Sequence, residues 1–374
     1  MRVPLLKPRP IRLSDHRDDL AAHEASGQFS NFGPINTAFE TRLRDEMFGG
    51  EGACLTACNA TVALLLAVKE AVYFGRRRGR YALVPSFTFA ATAHAAAWCG
   101  LTPLLYDIEP ETWLPSGEAE RRLLDRHGDE VAVIVTYATF GNCLDLGAYA
   151  DLAARTGVGV VVDAAASLGA RDAGGHGFGR GAPMSVVYSM HATKTFATSE
   201  GAVIYSADRE RIARLRQMEN FGFDSARAAQ MPGLNAKLAE VPALQALRKL
   251  DEIDAVVRRR GELYALYRSL LPDFTFQRQT GSHAVHQFVP ALLPEGAGVD
   301  RACFVQRMKE KGVGLGTYFS PHLAEQPYFK DISVMDELPV TARIAPRIVA
   351  LPLYDTMEHA ELRYVCDSAR ACLR

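Results

Sequence analysis

The feature that most restricts this chain is a series of short, almost uninterrupted apolar runs in its first two thirds: "YALVP", "TPLLYDI", "VAVIVTY", "VGVVVDA", "MSVVYSM" and "GAVIYSA". A strand with one wet face alternates apolar and polar residues, so runs without alternation require strands covered on both faces, the condition of a mostly parallel sheet. Between these runs lie helical patterns, "ATVALLLAVKEAVYF", "AATAHAAAW" and "LGAYADLAARTG", where a parallel sheet needs its crossovers. A longer helical stretch, "AKLAEVPALQALRKLDEIDAVVRRRGELYALYRSLL", leads to three further strand-like runs, "AVHQFVPALL", "GVGLGTYF" and "IVALPLY". The expected architecture is α/β. A large, mostly parallel sheet domain flanked by helices spans residues 1–240, and a connector helix with a smaller C-terminal α+β domain spans residues 241–374.

A chain of 374 residues can hold two such units. Its 42 lysines and arginines balance 43 aspartates and glutamates, so no global field favours nucleic acid or an anionic membrane as a partner. Seven cysteines, without a CxxC pair or a Cys/His cluster at zinc spacing, read as reduced thiols, and no metal site is expected. The N-terminal segment lacks a secretory apolar region, and no run approaches the roughly twenty residues of a membrane span, so a cytoplasmic location is expected. The arginine run Arg76–Arg80 reads as a solvated loop between helix and strand, with phosphate binding as the alternative.

In open α/β sheets ligands gather at the carboxyl ends of the strands, and that rule selects a few residues here. Asp163 ends "GVGVVV"; by itself it reads equally as a cap. Lys194 follows "MSVVY" among small and hydroxylated residues. Asn59, Ala60 and Thr61 open a strongly helical segment, where free N–H groups and the positive end of the helix dipole favour an anion. Phe87 and Phe89 follow a strand end, and each alone could be core packing. Together, an anion cradle, an aromatic face, a carboxylate and a lysine are the parts that hold pyridoxal 5'-phosphate. A free lysine is neutral in only about one molecule in two thousand at pH 7, so a nucleophilic lysine must be desolvated or set beside positive charge. The carboxylate keeps a ring nitrogen protonated: a unit pair about 4 Å apart at an effective dielectric near 20 gains roughly 4 kcal/mol.

Several ordered motifs then resemble one family, the DegT/StrS group of fold-type I pyridoxal-phosphate aminotransferases that act on nucleotide-linked keto sugars. They are "SNFGPINTAFE", "NATVALLLA", "VPSFTFAATAHAAAWCGLTPLLYDIEPETW", "VVDAAASLGA", "YSMHATKTFATSEGAVI" and "GLNAKLAEVPALQAL", and they cover nearly the whole chain. The resemblance implies a fold-type I transferase in which Lys194 forms the internal aldimine and shuttles protons, Asp163 pairs with the ring nitrogen and Phe89 stacks on the ring. It implies phosphate contacts at Ala60, Thr61 and Ser189, beside Asn59, and a further contact from Asn235 of the neighbouring subunit, hence a homodimer. His191 and Glu200, within the lysine motif, are candidate substrate residues. Tyr318 and His322 are candidates for the sugar or donor site, with strand-end packing as the alternative. Three positions depart from the pattern: Ala60 and Ala202 replace glycines, and Ala166 replaces a glutamine, leaving Ser167 or a water to meet the cofactor's phenolic oxygen.

The implied function is transfer of an amino group, with glutamate as donor, to a keto carbon of a nucleotide-linked 4-keto-6-deoxy sugar. The "HATK" and "SEGA" elements favour carbon 4 over carbon 3. Alternatives are amination of a keto-cyclitol or another small ketone, and a pyridoxal-phosphate-binding sensor or regulator without turnover, for which the chain offers no DNA-reading basic helix.

Overall fold

In the computed structural model, which describes residues 2–373, the apolar runs become strands, preceded by one that the runs did not announce. These are β1 (Ala53–Ala57), β2 (Tyr81–Pro85), β3 (Thr102–Tyr106), β4 (Val131–Tyr137), β5 (Gly159–Asp163), β6 (Ser185–Ser189) and β7 (Ala202–Ser206). Later come β8 (Thr275–Phe276), β9 (Val289–Leu292), β10 (Val334–Met335) and β11 (Ile348–Leu351). The larger sheet has eight strands in the order β1-β7-β6-β5-β4-β2-β3-β10. Only β7 is antiparallel to its neighbours, β1 and β6; the remaining pairs are parallel.

The absence of alternation has a direct cause in β5. Val160 and Val162 lie in one apolar cluster with Leu146 and Tyr149 of the Leu146–Thr156 helix, while Val161, between them, lies in a second cluster with Leu64 and Ala67 of the Ala60–Tyr73 helix on the opposite face. Helices cover both faces, so every position is apolar. Truncating a fully buried residue here, such as Leu83→Ala, costs about 2–5 kcal/mol. The arginine run is a loop with structural duties: Arg77 donates to Thr156 O and Gly128 O, and Arg78 to Val72 O and Gly75 O, meeting carbonyls that the adjoining turns leave open.

The second sheet is antiparallel, in the order β11-β9-β8, and packs on the Ile253–Leu270 and His359–Cys372 helices. Two expectations are corrected here. The long helical stretch is two helices, Glu240–Lys249 and Ile253–Leu270. "GVGLGTYF" forms no strand; it touches its neighbours only through single bridges, Val313 with Val3 and Gly316 with Ala350, because three alternate glycines supply no side chains to pack. Two segments also cross between the units. Val3 joins the C-terminal core, and β10 joins the large sheet beside β3. We propose that the boundary lies near residue 240, with these two segments tying the units together.

Candidate active site

Because β7 is antiparallel to both β1 and β6, β1 runs in the same direction as β6. The carboxyl ends of β1, β2, β5 and β6 therefore share one edge of the sheet, and so does the start of β7. Asn59, Phe89, Asp163, Ser189, Lys194 and Glu200, scattered over 142 residues of chain, follow or precede those strand ends.

Asp163 is the last residue of β5 and is 2% exposed. Its Oδ2 accepts from the Thr92 hydroxyl at 2.7 Å and its Oδ1 from the Ala165 N–H at 3.0 Å. Thr92 Oγ1 lies in turn 2.9 Å from Thr88 Oγ1. Burial pushes the carboxyl above its ordinary range, opposed by the Thr92 and Ala165 hydrogen bonds and by the Lys194 charge. Alanines follow it, and the turn closes through Ser167 N–H to Ala164 O at 2.8 Å.

Lys194 sits in the connection from β6 to β7, in a turn closed by its own N–H to His191 O at 2.8 Å. The residue keeps some open surface, but its amine lies deep among protein atoms. Burial pulls that amine below the ordinary lysine range, while the Asp163 charge pulls it back up. Its hydrogen-bond partner is Gln287, whose Oε1 is 3.2 Å from Nζ. The lysine loop is fastened to the same segment through Thr195 Oγ1 to Val285 O at 3.0 Å.

At the end of β1, Asn59 caps the Ala60–Tyr73 helix by accepting the Val62 N–H at 3.0 Å. This leaves the N–H groups of Ala60 and Thr61 without partners among the described residues. Ala60 has helical backbone, so the glycine it replaces is not needed there. Ser189 ends β6, and its Oγ accepts the His191 N–H at 3.2 Å. Phe89, at the start of the Ala90–Trp98 helix, is 57% exposed, whereas Phe87 is buried among Phe140 and Phe319. Asn235 is exposed and paired by backbone with Asn220, next to Ala236, whose carbonyl accepts the Cys58 N–H. Ser167 Oγ is buried yet has no hydrogen-bond partner among the described residues.

The remaining candidates separate. His191 Nδ1 accepts the Thr193 N–H at 3.2 Å, which puts the proton of the neutral ring on Nε2, 3.5 Å from Glu200 Oε1. This pair is open to solvent. Tyr318 is partly exposed and stacks on Phe288. His322 is buried instead: its Nδ1 is 2.7 Å from Ser86 Oγ, its Nε2 is 3.6 Å from Glu325, and the Leu323 N–H donates to Ser86 O. Through Nδ1 and the Leu323 N–H it clasps its loop to the end of β2. Sequence reasoning did not single out Thr92 or Gln287. A threonine pair at i, i+4 in an alanine-rich helix and an amide inside an apolar run were the available signals.

The residues present fit pyridoxal 5'-phosphate. A buried hydroxyl waits without a partner, a helix start offers open N–H groups, an aromatic ring stands exposed, and a depressed amine feels a buried carboxylate. On a large, mostly parallel sheet, these define an enzyme of the fold-type I pyridoxal-phosphate class. The family model for DegT/DnrJ/EryC1/StrS aminotransferases matches residues 12–370, and the chain belongs to that family. A crystal structure assigned as a pyridoxal-phosphate-dependent aminotransferase of Bacillus cereus ATCC 10987 is 34% identical and matches with a TM-score of 0.93, covering 99% of this chain and 100% of that one. The structure of DesI in the presence of its TDP-sugar product matches at 0.89 with 29% identity, covering 100% of this chain and 93% of that one. The dTDP-4-amino-4,6-dideoxy-D-glucose transaminase of Shigella dysenteriae is 28% identical, over 92% of this chain and 91% of its own length.

Proposed function

We propose that this aminotransferase moves an amino group from an amino-acid donor, glutamate, to carbon 4 of a nucleotide-linked 4-keto-6-deoxy sugar, and that it works as a homodimer. The observation that carries the reading is the buried Lys194 amine acting against the Asp163 carboxylate at the carboxyl edge of the sheet. The substrate class is supported by the relative named for a dTDP-4-amino-4,6-dideoxy sugar and by DesI with its TDP-sugar.

Pyridoxal phosphate, when bound, supplies an aldehyde carbon that takes an amine and a cationic ring that draws electrons from adjacent bonds. Lys194 would hold the cofactor through that carbon and, when free, would be the amine placed to take and return a proton. Its burial raises the uncharged fraction that this work requires. Asp163 holds the ring nitrogen cationic, and Thr92 holds Asp163 in its charged form. Asn59, Ala60, Thr61 and Ser189 receive the phosphate, with Asn235 of the second subunit. Phe89 would stack on the cofactor ring, and the hydroxyl of Ser167 would meet the cofactor where a glutamine is missing at Ala166. His191 and Glu200, at the open side, contact the substrate.

Borohydride reduction of the loaded protein, followed by peptide mapping, should place the cofactor on Lys194. The amino form of the loaded protein is then mixed with a TDP-linked 4-keto-6-deoxyglucose, a 3-keto counterpart and a free keto-inositol, and the return of the aldehyde absorbance is followed. Return with the 4-keto nucleotide sugar is expected. Return with the keto-inositol alone would move the activity to cyclitols, and no return with any ketone would make the protein a cofactor-binding sensor.

A further inference from the structure

The amide that meets the Lys194 amine comes from the other unit of the fold. Gln287 lies two residues before β9 and is 8% exposed. Its Nε2 donates to Thr193 O at 3.1 Å, a contact that requires an N–H, so the amide cannot turn over and Oε1 is the atom left facing Lys194 Nζ at 3.2 Å. The backbone beneath it is clamped as well. Buried Arg260 donates through Nη1 to His286 O at 3.2 Å and to Gln287 O at 3.1 Å, and its charge is answered by Asp355 at 3.6 Å. Buried amides need partners for both ends. Here one end is spent on the lysine's loop and the other on the lysine's amine.

Resting on the reading of Lys194 as the cofactor's lysine, we propose that Gln287 is a positioning residue that receives the Lys194 amine whenever that amine is not bonded to the cofactor. An acceptor takes one N–H of the uncharged amine and so fixes the direction of its lone pair, the part that must accept the substrate proton. The contact acts only while the amine is free. Losing it therefore slows amine transfer and does not weaken cofactor capture, which itself gives the contact up.

The test uses Gln287→Met, which fills similar space without the carbonyl acceptor, and Gln287→Glu, which puts a carboxyl in its place. In Gln287→Met, the cofactor should bind no more weakly than to the parent and donor KM should stay within about twofold, while kcat falls about tenfold. The second readout is made on the cofactor-free protein, as the pH dependence of Lys194 acetylation by acetic anhydride, mapped by mass. The Lys194 titration should move down in Gln287→Met and up by at least about one pH unit in Gln287→Glu. The other charged or titratable groups about the lysine and its loop are Asp163, His191, Glu200, Lys7, Arg9, Lys249, Arg260, His286 and Asp355. All are the same in both variants, so opposite signs isolate residue 287. If Gln287→Glu does not fold, Gln287→Met decides. An unmoved Lys194 titration with kcat within about twofold of the parent overturns the proposal, provided reduction maps the cofactor to Lys194. Mapping to another lysine overturns the reading beneath it, and the proposal falls with it.

Discussion

Thr92→Val keeps the branched shape of the residue and removes the hydroxyl that donates to Asp163 Oδ2 at 2.7 Å. A hydrogen bond to a charged group is worth about 1.5–3 kcal/mol, so its loss should raise the Asp163 pKa by about one to two pH units. Burial already holds that pKa above its ordinary 3.8. An acid whose folded pKa exceeds its unfolded one contributes stability that is whole below the unfolded value and is lost as pH rises through the folded value. Raising the folded value further enlarges that loss. The variant should therefore trail the parent by about 1.5–3 kcal/mol where the carboxylate is ionised in both proteins, with the gap closing toward the ordinary carboxyl range. A pH-independent remainder of about 1 kcal/mol is expected from the Thr88 hydroxyl, which loses its partner at 2.9 Å. Urea unfolding of both cofactor-free proteins from about pH 4 to about pH 8 measures the gap. In the loaded enzyme the acid limb of kcat/KM should rise by the same one to two pH units, roughly. A gap that does not change with pH would mean that Asp163 carries no charge in the folded protein, and the account of Thr92 would be wrong.

Three further outcomes are expected. Glu120 is buried, its Oε1 receives the Tyr106 and Tyr149 hydroxyls, and burial pushes its carboxyl from 4.5 up to about 7. Its stabilising contribution is whole below 4.5 and lost as pH rises through about 7. Glu120→Gln should thus gain on the parent by about 3 kcal/mol across that window, and equal pH slopes in thermal melts would exclude this. Ser167→Ala removes a buried hydroxyl without a partner, so the cofactor-free protein should melt no earlier, while cofactor affinity, read by equilibrium dialysis, weakens about fivefold. Asn235→Ala alters an exposed side chain and should change the melting of the cofactor-free protein by less than about 0.5 kcal/mol, yet weaken cofactor binding about tenfold. Unchanged affinity in that variant would remove Asn235 from the phosphate site.

What could be read from the chain, and what could not, follows from how far apart the interacting residues lie. Strands β2 to β7 announce themselves because helices cover both of their faces, as Val160, Val161 and Val162 show within three consecutive residues. Strand β1 escapes notice because Thr56 interrupts its apolar run, its hydroxyl spent on hydrogen bonds to Asn36 and Glu40. Asp163 and Lys194 are legible because a strand-end position is a local property. Thr92 and Gln287 act on partners 71 and 93 residues away, and no spacing rule spans those distances. Their contacts exist only because β2 lies one strand from β5 and because the start of β9 is laid against the lysine loop. For His322 the motif left a site role and strand-end packing both open, and the fold sets its ring against Ser86. The recoverable clue is physical. A hydroxyl or amide placed where the pattern demands an apolar residue must find a partner when it is buried, since leaving it unpaired costs several kcal/mol on the least forgiving scales. In this chain such residues mark the side chains that hold the carboxylate and the amine in place.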